Sequence, residues 1–240
     1  MSEVSRRQLI RYGGSLIGTG FAATILGSQL AKANDSRLLA DSLPDRNQAI
    51  TPDEAIAKLL EGNQRFAGDK RLNPHQDRQR VTEIAETQAP FAAILGCADS
   101  RVPAEIIFDQ GLGDLFVCRV AGNIATSEEI GSLEYAAMIL GAKAIVVLGH
   151  THCGAVKVTL QGGRLPGQLG HLIDGIQVAV ERADAQTGEN KLERAVKANI
   201  VYQTQKVLTS DIIFGLSEKK QIKVVGAYYD LNTGKVNLLG

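Results

Sequence analysis

Residues 91–101 read FAAILGCADSR. Phe91 to Gly96 is an unbroken apolar run of strand length, and a cysteine, an acid and an arginine follow at once. A run of this kind, without polar alternation, fits a strand buried on both faces of a parallel sheet. Two more such runs follow, Asp114 to Val120 and Ala144 to Gly149. Gln221 to Tyr229 reads as a fourth strand, and a turn at Thr233-Gly234 leads into a short fifth, Lys235 to Leu238. Helical segments lie between or after them at 103–108, 127–140, 153–160, 168–185 and 189–209. Alternating strands and helices predict an α/β fold, with a mainly parallel central β-sheet flanked by helices. Upstream, Thr51-Pro52-Asp53-Glu54 has the composition of a helix start, with an N-cap threonine, an early proline and acids near the positive end of the dipole. It predicts an N-terminal helical arm running to Phe66. Residues 68–80 read as polar and irregular, and Val81 to Thr87 as a short helix.

The first 33 residues are set apart from the fold. Arg6 and Arg7 precede an apolar run from Tyr12 to Leu30 that is diluted by Gly13, Gly14, Gly18, Gly20 and Gly27, and Ala31-Lys32-Ala33 has the small-x-small form of a cleavage site. Together these resemble a twin-arginine export signal. The alternative, an uncleaved anchor, is disfavoured by the glycines. The expected organisation is an export signal at 1–33, a polar linker at 34–51 and a catalytic domain at 52–240, with no stable membrane span after signal removal. The expected localisation is outside the cytoplasm, whether periplasmic, extracellular or lumenal. The whole chain balances 26 basic against 26 acidic residues, which argues against nucleic acid as a partner. Three cysteines, Cys97, Cys118 and Cys153, are an odd number and a poor disulfide framework.

Chemistry concentrates in two places, CADSR (97–101) and HTHCG (150–154), each directly after a buried-type strand. Ligands of open α/β sheets collect at the carboxyl ends of strands, so both segments aim at one edge of the sheet. Two thiolates and an imidazole suit Zn²⁺ and leave a fourth position open, as in a catalytic site. An isolated H-x-x-C is more often a helix-start histidine and a buried cysteine. The joint pattern of strand, Cys, Asp and Arg with strand, His and Cys reverses that preference.

CADSRVPAE (97–105) and GHTHCGAV (149–156) resemble the two signatures of the beta-class carbonic anhydrases. The likeness continues through GDLFVCRVAGN (113–123), EYAAMILGAKAIVVLGH (134–150) and GAYYDLNTGKV (226–236), and covers roughly residues 52–239. The resemblance implies zinc-dependent reversible hydration of carbon dioxide to bicarbonate and a proton. It implies Cys97, His150 and Cys153 as ligands of one zinc ion, and Asp99 and Arg101 as a catalytic dyad. Zinc would make hydroxide available for attack on CO₂ near neutral pH, and two thiolates should shift activity toward alkaline pH. Asp99 would accept a hydrogen bond from the nucleophile, and Arg101 would keep Asp99 ionised and aimed. In an inactive state of the family this aspartate occupies the fourth zinc position. Members prone to it carry a tryptophan three residues before the first cysteine; here that residue is Ile94 and the chain has no tryptophan, so an open site is expected.

The same resemblance gives Gln88, Phe116 and Tyr135 as substrate-pocket residues, with Val102 as apolar lining and Gly154 permitting close backbone approach. His152 is expected to point away from the ligands on either side of it, His75 and His171 to be solvated, and Cys118 to be core. The family is built on a dimer or higher homo-oligomer in which the pocket residues serve a partner's zinc. Two rivals remain at this stage. One is hydrolysis of carbon disulfide or carbonyl sulfide on the same scaffold. The other is zinc binding without catalysis, which would need neither Asp99 nor Arg101.

Overall fold

The structure, a computed structural model, describes residues 50–162, 165–184 and 190–239. The proposed export signal and all but the last two residues of the linker lie outside the described residues. Helix α1 (Pro52–Ala67) starts as its sequence implies: the Thr51 hydroxyl accepts from the Glu54 amide, and the Glu54 carboxylate accepts from the Thr51 amide. This reciprocal capping box satisfies two otherwise orphaned donors. Helix α2 (Arg78–Glu83) begins and ends earlier than the expected 81–87. Asp77 caps it by accepting from the Arg80 amide, a signal hidden in the polar stretch that reads as irregular.

The remaining elements are β1 (Ala92–Gly96), α3 (Ala104–Ile107), β2 (Leu115–Arg119), α4 (Ser127–Glu134), β3 (Ala144–His150), α5 (Gly154–Gln161), α6 (Leu169–Asp184), α7 (Lys191–Val207), α8 (Asp211–Glu218), β4 (Lys223–Tyr229) and β5 (Val236–Leu239). A single widened turn, Tyr135–Ile139, continues α4, so the segment expected as one helix over 127–140 changes pitch halfway. Helix α8 has no counterpart among the sequence expectations; its apolar residues Ile212, Ile213, Phe214 and Leu216 crowd into too short a run to display a helical period.

The sheet order is β2-β1-β3-β4-β5, parallel throughout except for the antiparallel last pair. Strand residues alternate between two cores, as a period of two requires. Ala93, Leu95, Ile145 and Val147 face α6, α7 and α8 through Ile176, Val180, Ile200 and Ile213. Ala92, Ile94, Ala144, Val146 and Leu148 face α1 and α3 through Ile56, Leu59, Ile107 and Phe108. β1 and β3 are buried at every position. β2 departs from its expected burial: it is an edge strand, half-buried from Leu115 to Cys118 and exposed at Arg119, because no strand covers its outer side.

This order sets the location of the site. From β1 the chain leaves across the α3 face toward β2, and from β3 it leaves across the opposite face toward β4. Neighbouring strands whose connections part in this way open a crevice at their carboxyl ends. Helix α7 approaches that crevice closely. A Cβ on Gly149 would lie 2.4 Å from Ile200 Cγ1, and one on Gly226 would lie 2.8 Å from Ile200 Cγ2, so Ile200 rests on bare backbone of both strands.

On the other face, a Cβ at Gly62 would fall 1.8 Å from the Phe108 carbonyl oxygen, where α1 meets the end of α3. Gly62→Ala should therefore lose about 1–3 kcal/mol of stability through overpacking, seen as a lower urea midpoint with metal content unchanged. An unchanged midpoint would show that the α1–α3 contact yields freely.

Candidate metal centre

Three elements each deliver one donor. Cys97 follows β1 by one residue, His150 is the last residue of β3, and Cys153 precedes the first turn of α5. Their Sγ and ring-nitrogen atoms lie within 4.8 Å of one another, and all three residues are buried. His150 has no exposed surface. Its Nδ1 lies 2.9 Å from the Thr151 carbonyl oxygen. A carbonyl only accepts, so Nδ1 carries the proton and Nε2 is left as the donor nitrogen. Thr151 is itself pinned, its amide donating to the Tyr229 carbonyl at 2.9 Å and its hydroxyl oxygen accepting from the Leu231 amide at 2.9 Å.

The chemistry of these atoms fits a metal. His150 Nε2 is buried and has no hydrogen-bond partner among the described residues, an arrangement that is costly unless something else satisfies it. Cys97 and Cys153 are free thiols despite their proximity. The Cys97 thiol is pulled well below the ordinary thiol range, chiefly by the hydrogen bond from Cys153; burial opposes this, and the Gly122 and Asp99 amides assist it. Cys153 is pushed up because it keeps the proton of that hydrogen bond and is buried. Two sulfurs this close cannot both ionise without a cation between them. Soft sulfur with imidazole is the donor set that zinc takes.

Asp99 stands beside the cluster, its Oδ2 3.9 Å from His150 Nε2. Arg101 grips it with Nε to Oδ1 at 2.9 Å, a terminal nitrogen to Oδ2 at 2.8 Å and its own amide to Oδ1 at 3.0 Å. The guanidinium holds the Asp99 carboxyl well below the usual carboxylate range. A second arginine, absent from the sequence expectations, completes the arrangement. Arg119, at the end of β2, donates from Nε to the Cys97 carbonyl at 3.0 Å and from a terminal nitrogen to the Asp99 carbonyl at 2.6 Å. Its signal in the sequence was a lone charge closing an apolar strand run.

The other expected site residues are scattered. Val102 is 1% exposed and sits in the core shared with α1 and α3. Gly154 is exposed, and among the described residues a Cβ there would meet nothing within 4 Å. Gln88 lies before β1, at the strand end opposite Cys97. Phe116 pairs in register with Ala93, while Arg119 pairs with Gly96. Phe116 is thus three residues, roughly 10 Å, back from the edge that carries the cluster. Tyr135 packs near it, with ring centroids 6.3 Å apart. Within one chain these three do not join the cluster. His152 is exposed, with φ 54°, whereas His150 and Cys153 on either side of it are buried. His171 is exposed as expected. His75 is not simply solvated: its Nδ1 lies 2.8 Å from Asp114, which ties the 68–77 loop to the start of β2. Cys118 is half-buried rather than core, for the same edge-strand reason, and burial raises its thiol.

A parallel α/β sheet with two thiols, an imidazole and an arginine-held carboxylate at its crevice defines a class of protein with a built metal site. A sequence profile described as carbonic anhydrase matches residues 92–236. A carbonic anhydrase of Mycolicibacterium smegmatis is 38% identical over 193 residues, covering 78% of this chain and 93% of that protein. Carbonic anhydrase 2 of Mycobacterium tuberculosis is 39% identical over 197 residues, covering 78% and 92%. Among solved structures, a tetrameric beta-carbonic anhydrase of Sordaria macrospora superposes with a TM-score of 0.63 at 28% identity, covering 77% of this chain and 96% of that one. The Coccomyxa beta-carbonic anhydrase in complex with acetazolamide also gives 0.63 at 28% identity, covering 77% and 86%. The chain belongs to the beta-class carbonic anhydrase family.

The thiol pair gives a direct test. Metal-free, folded protein should show thiolate absorbance well below the ordinary thiol range, lost on further acidification and absent from Cys97→Ser. Absorbance that emerges only near the ordinary thiol value of about 8.5 would refute the shared-proton pair.

Proposed function

We propose that the chain catalyses reversible hydration of carbon dioxide to bicarbonate and a proton, with one zinc ion held by Cys97, His150 and Cys153. The observation that carries this reading is the buried donor set with its unpartnered His150 Nε2, flanked by an ionised Asp99. Zinc, when bound, lowers the pKa of water enough to supply hydroxide near neutral pH. The protein's own groups do the rest. Asp99 stays an acceptor at any pH the enzyme meets, because Arg101 holds it ionised, so it orients a hydrogen-bond donor beside the metal position without taking the proton. Arg101 occupies both carboxylate oxygens, which favours a site left open for substrate over one closed by Asp99. Arg119 keeps the backbone of Cys97 and Asp99 in one rigid unit through their two carbonyls.

Gln88, Phe116 and Tyr135 fit this reading if a second copy brings them to the crevice. Their distance from the cluster within one chain, the uncovered edge of β2 and the half-exposed Tyr135 support that arrangement. So does the tetrameric assembly of the Sordaria relative. Among the described residues no helix is long and apolar enough to cross a membrane. The leader at 1–33 supports a site of action outside the cytoplasm; N-terminal sequencing of exported protein should start after Ala33, and a start at Met1 would refute cleavage.

The deciding experiment is stopped-flow carbon dioxide hydration with zinc measured in the same sample. Rapid hydration that rises toward alkaline pH with one zinc per chain is expected. Asp99→Ala should keep its zinc and lose about 10²- to 10³-fold in rate, the range of one lost positioned hydrogen-bonding group. Full zinc without hydration in the unaltered chain would move the assignment to sulfur-containing substrates or to a non-catalytic metal site.

A further inference from the structure

Helix α7 buries Ala195, Val196, Ile200 and Val207 against the sheet, and two amides, Asn199 and Gln203, interrupt this apolar face at one-turn spacing. They are 1% and 0% exposed. Buried amides in such a setting cost stability unless fully hydrogen-bonded, and here each is engaged. Asn199 Nδ2 donates to the Gly122 carbonyl at 2.8 Å. Gln203 Nε2 donates to Asn199 Oδ1 at 2.9 Å and to the Gly175 carbonyl at 2.8 Å. Gln203 Oε1 accepts from the Ala125 amide at 2.9 Å. The pair thus ties the Ala121–Asn123 turn and the following residues to α6 and α7.

That turn has one contact with the donor cluster: the Gly122 amide donates to Cys97 Sγ at 3.3 Å. Gly122 holds φ 77°, and a Cβ there would lie 2.5 Å from Ile176 Cδ1 and 3.3 Å from Ala155 Cβ. The turn is therefore wedged by α6 and α5 from one side and held by Asn199 through the carbonyl of the same residue whose amide reaches the sulfur. Packing alone would not call for two buried amides where the rest of the face is aliphatic.

From this we infer that Asn199, with Gln203 behind it, is a positioning residue that aims the Gly122 amide at the Cys97 sulfur and so sets how strongly that sulfur donates to a bound metal. An N–H directed at a thiolate draws electron density from it, which leaves the metal a stronger Lewis acid. Two thiolates give up more charge than nitrogen ligands do, and the Gly122 amide offsets part of that at Cys97. The inference rests on the metal-site reading above.

The test reads the sulfur itself. In cobalt(II)-substituted Asn199→Leu the sulfur-to-metal charge-transfer band should move to longer wavelength, since an uncovered thiolate is the better donor. Gln203→Glu keeps the acceptor for the Ala125 amide and loses the donor to Asn199; its band should move the same way by less. A band at its original position in a variant with unaltered near-ultraviolet circular dichroism would overturn the inference. Should neither variant fold, the unaltered chain loaded with ¹¹³Cd decides: the Gly122 amide proton is expected to show scalar coupling to the metal across Cys97 Sγ, and absence of coupling would overturn it. Failure of the unaltered chain to bind cobalt or cadmium at all would instead defeat the metal-site reading.

Discussion

Two sulfurs and a ring nitrogen, buried within 4.8 Å of one another, are the constraint around which the upper edge of this protein is arranged. Left alone, they would have to share a proton between thiols and leave a lone pair facing nothing, which is a poor use of buried space. The surrounding structure holds them there anyway. Thr151 orients the imidazole, Gly122 faces one sulfur, and Arg119 fixes the backbone on which Cys97 and Asp99 stand. A bound metal would satisfy these atoms, which couples occupancy of the site to stability of the fold.

The sheet makes this possible by being rigid where it must be and open at one end. β1 and β3 carry nothing but buried aliphatic, small and alanine side chains up to the final residue of the site, so neither strand can slip by one position without exchanging its two cores. Close approach of Ile200 to the glycines of β3 and β4 brings α7 near enough for its polar residues to reach the turn behind the cluster. Packing and chemistry are linked here by a missing side chain at Gly149, immediately before His150.

Much of this was legible in the residues. Continuous apolar runs marked β1, β2 and β3, and the polar residues at their ends marked the crevice, because parallel strands display both features without regard to what lies far off in the chain. What escaped depended on long-range placement. Burial of β2 followed from its position at the sheet edge, which composition cannot show. Arg119 acts through two backbone carbonyls, and Asn199 acts through one, so neither has a local pattern that signals its role. Helix α2 was displaced because its cap, Asp77, sits in a polar stretch where capping and loop residues look alike. Under the proposed assembly, Gln88, Phe116 and Tyr135 meet the cluster only across a copy boundary, which leaves no trace in one chain's register.

The donors come from β1 and from the end of β3, with β2 and α4 between them in the chain. No local segment can assemble the site. β1 must pair with β3 across that intervening excursion, a non-local step of the kind that slows folding. A bound metal therefore certifies that the central sheet has closed. Occupancy of the site would thus record the folding history of the chain.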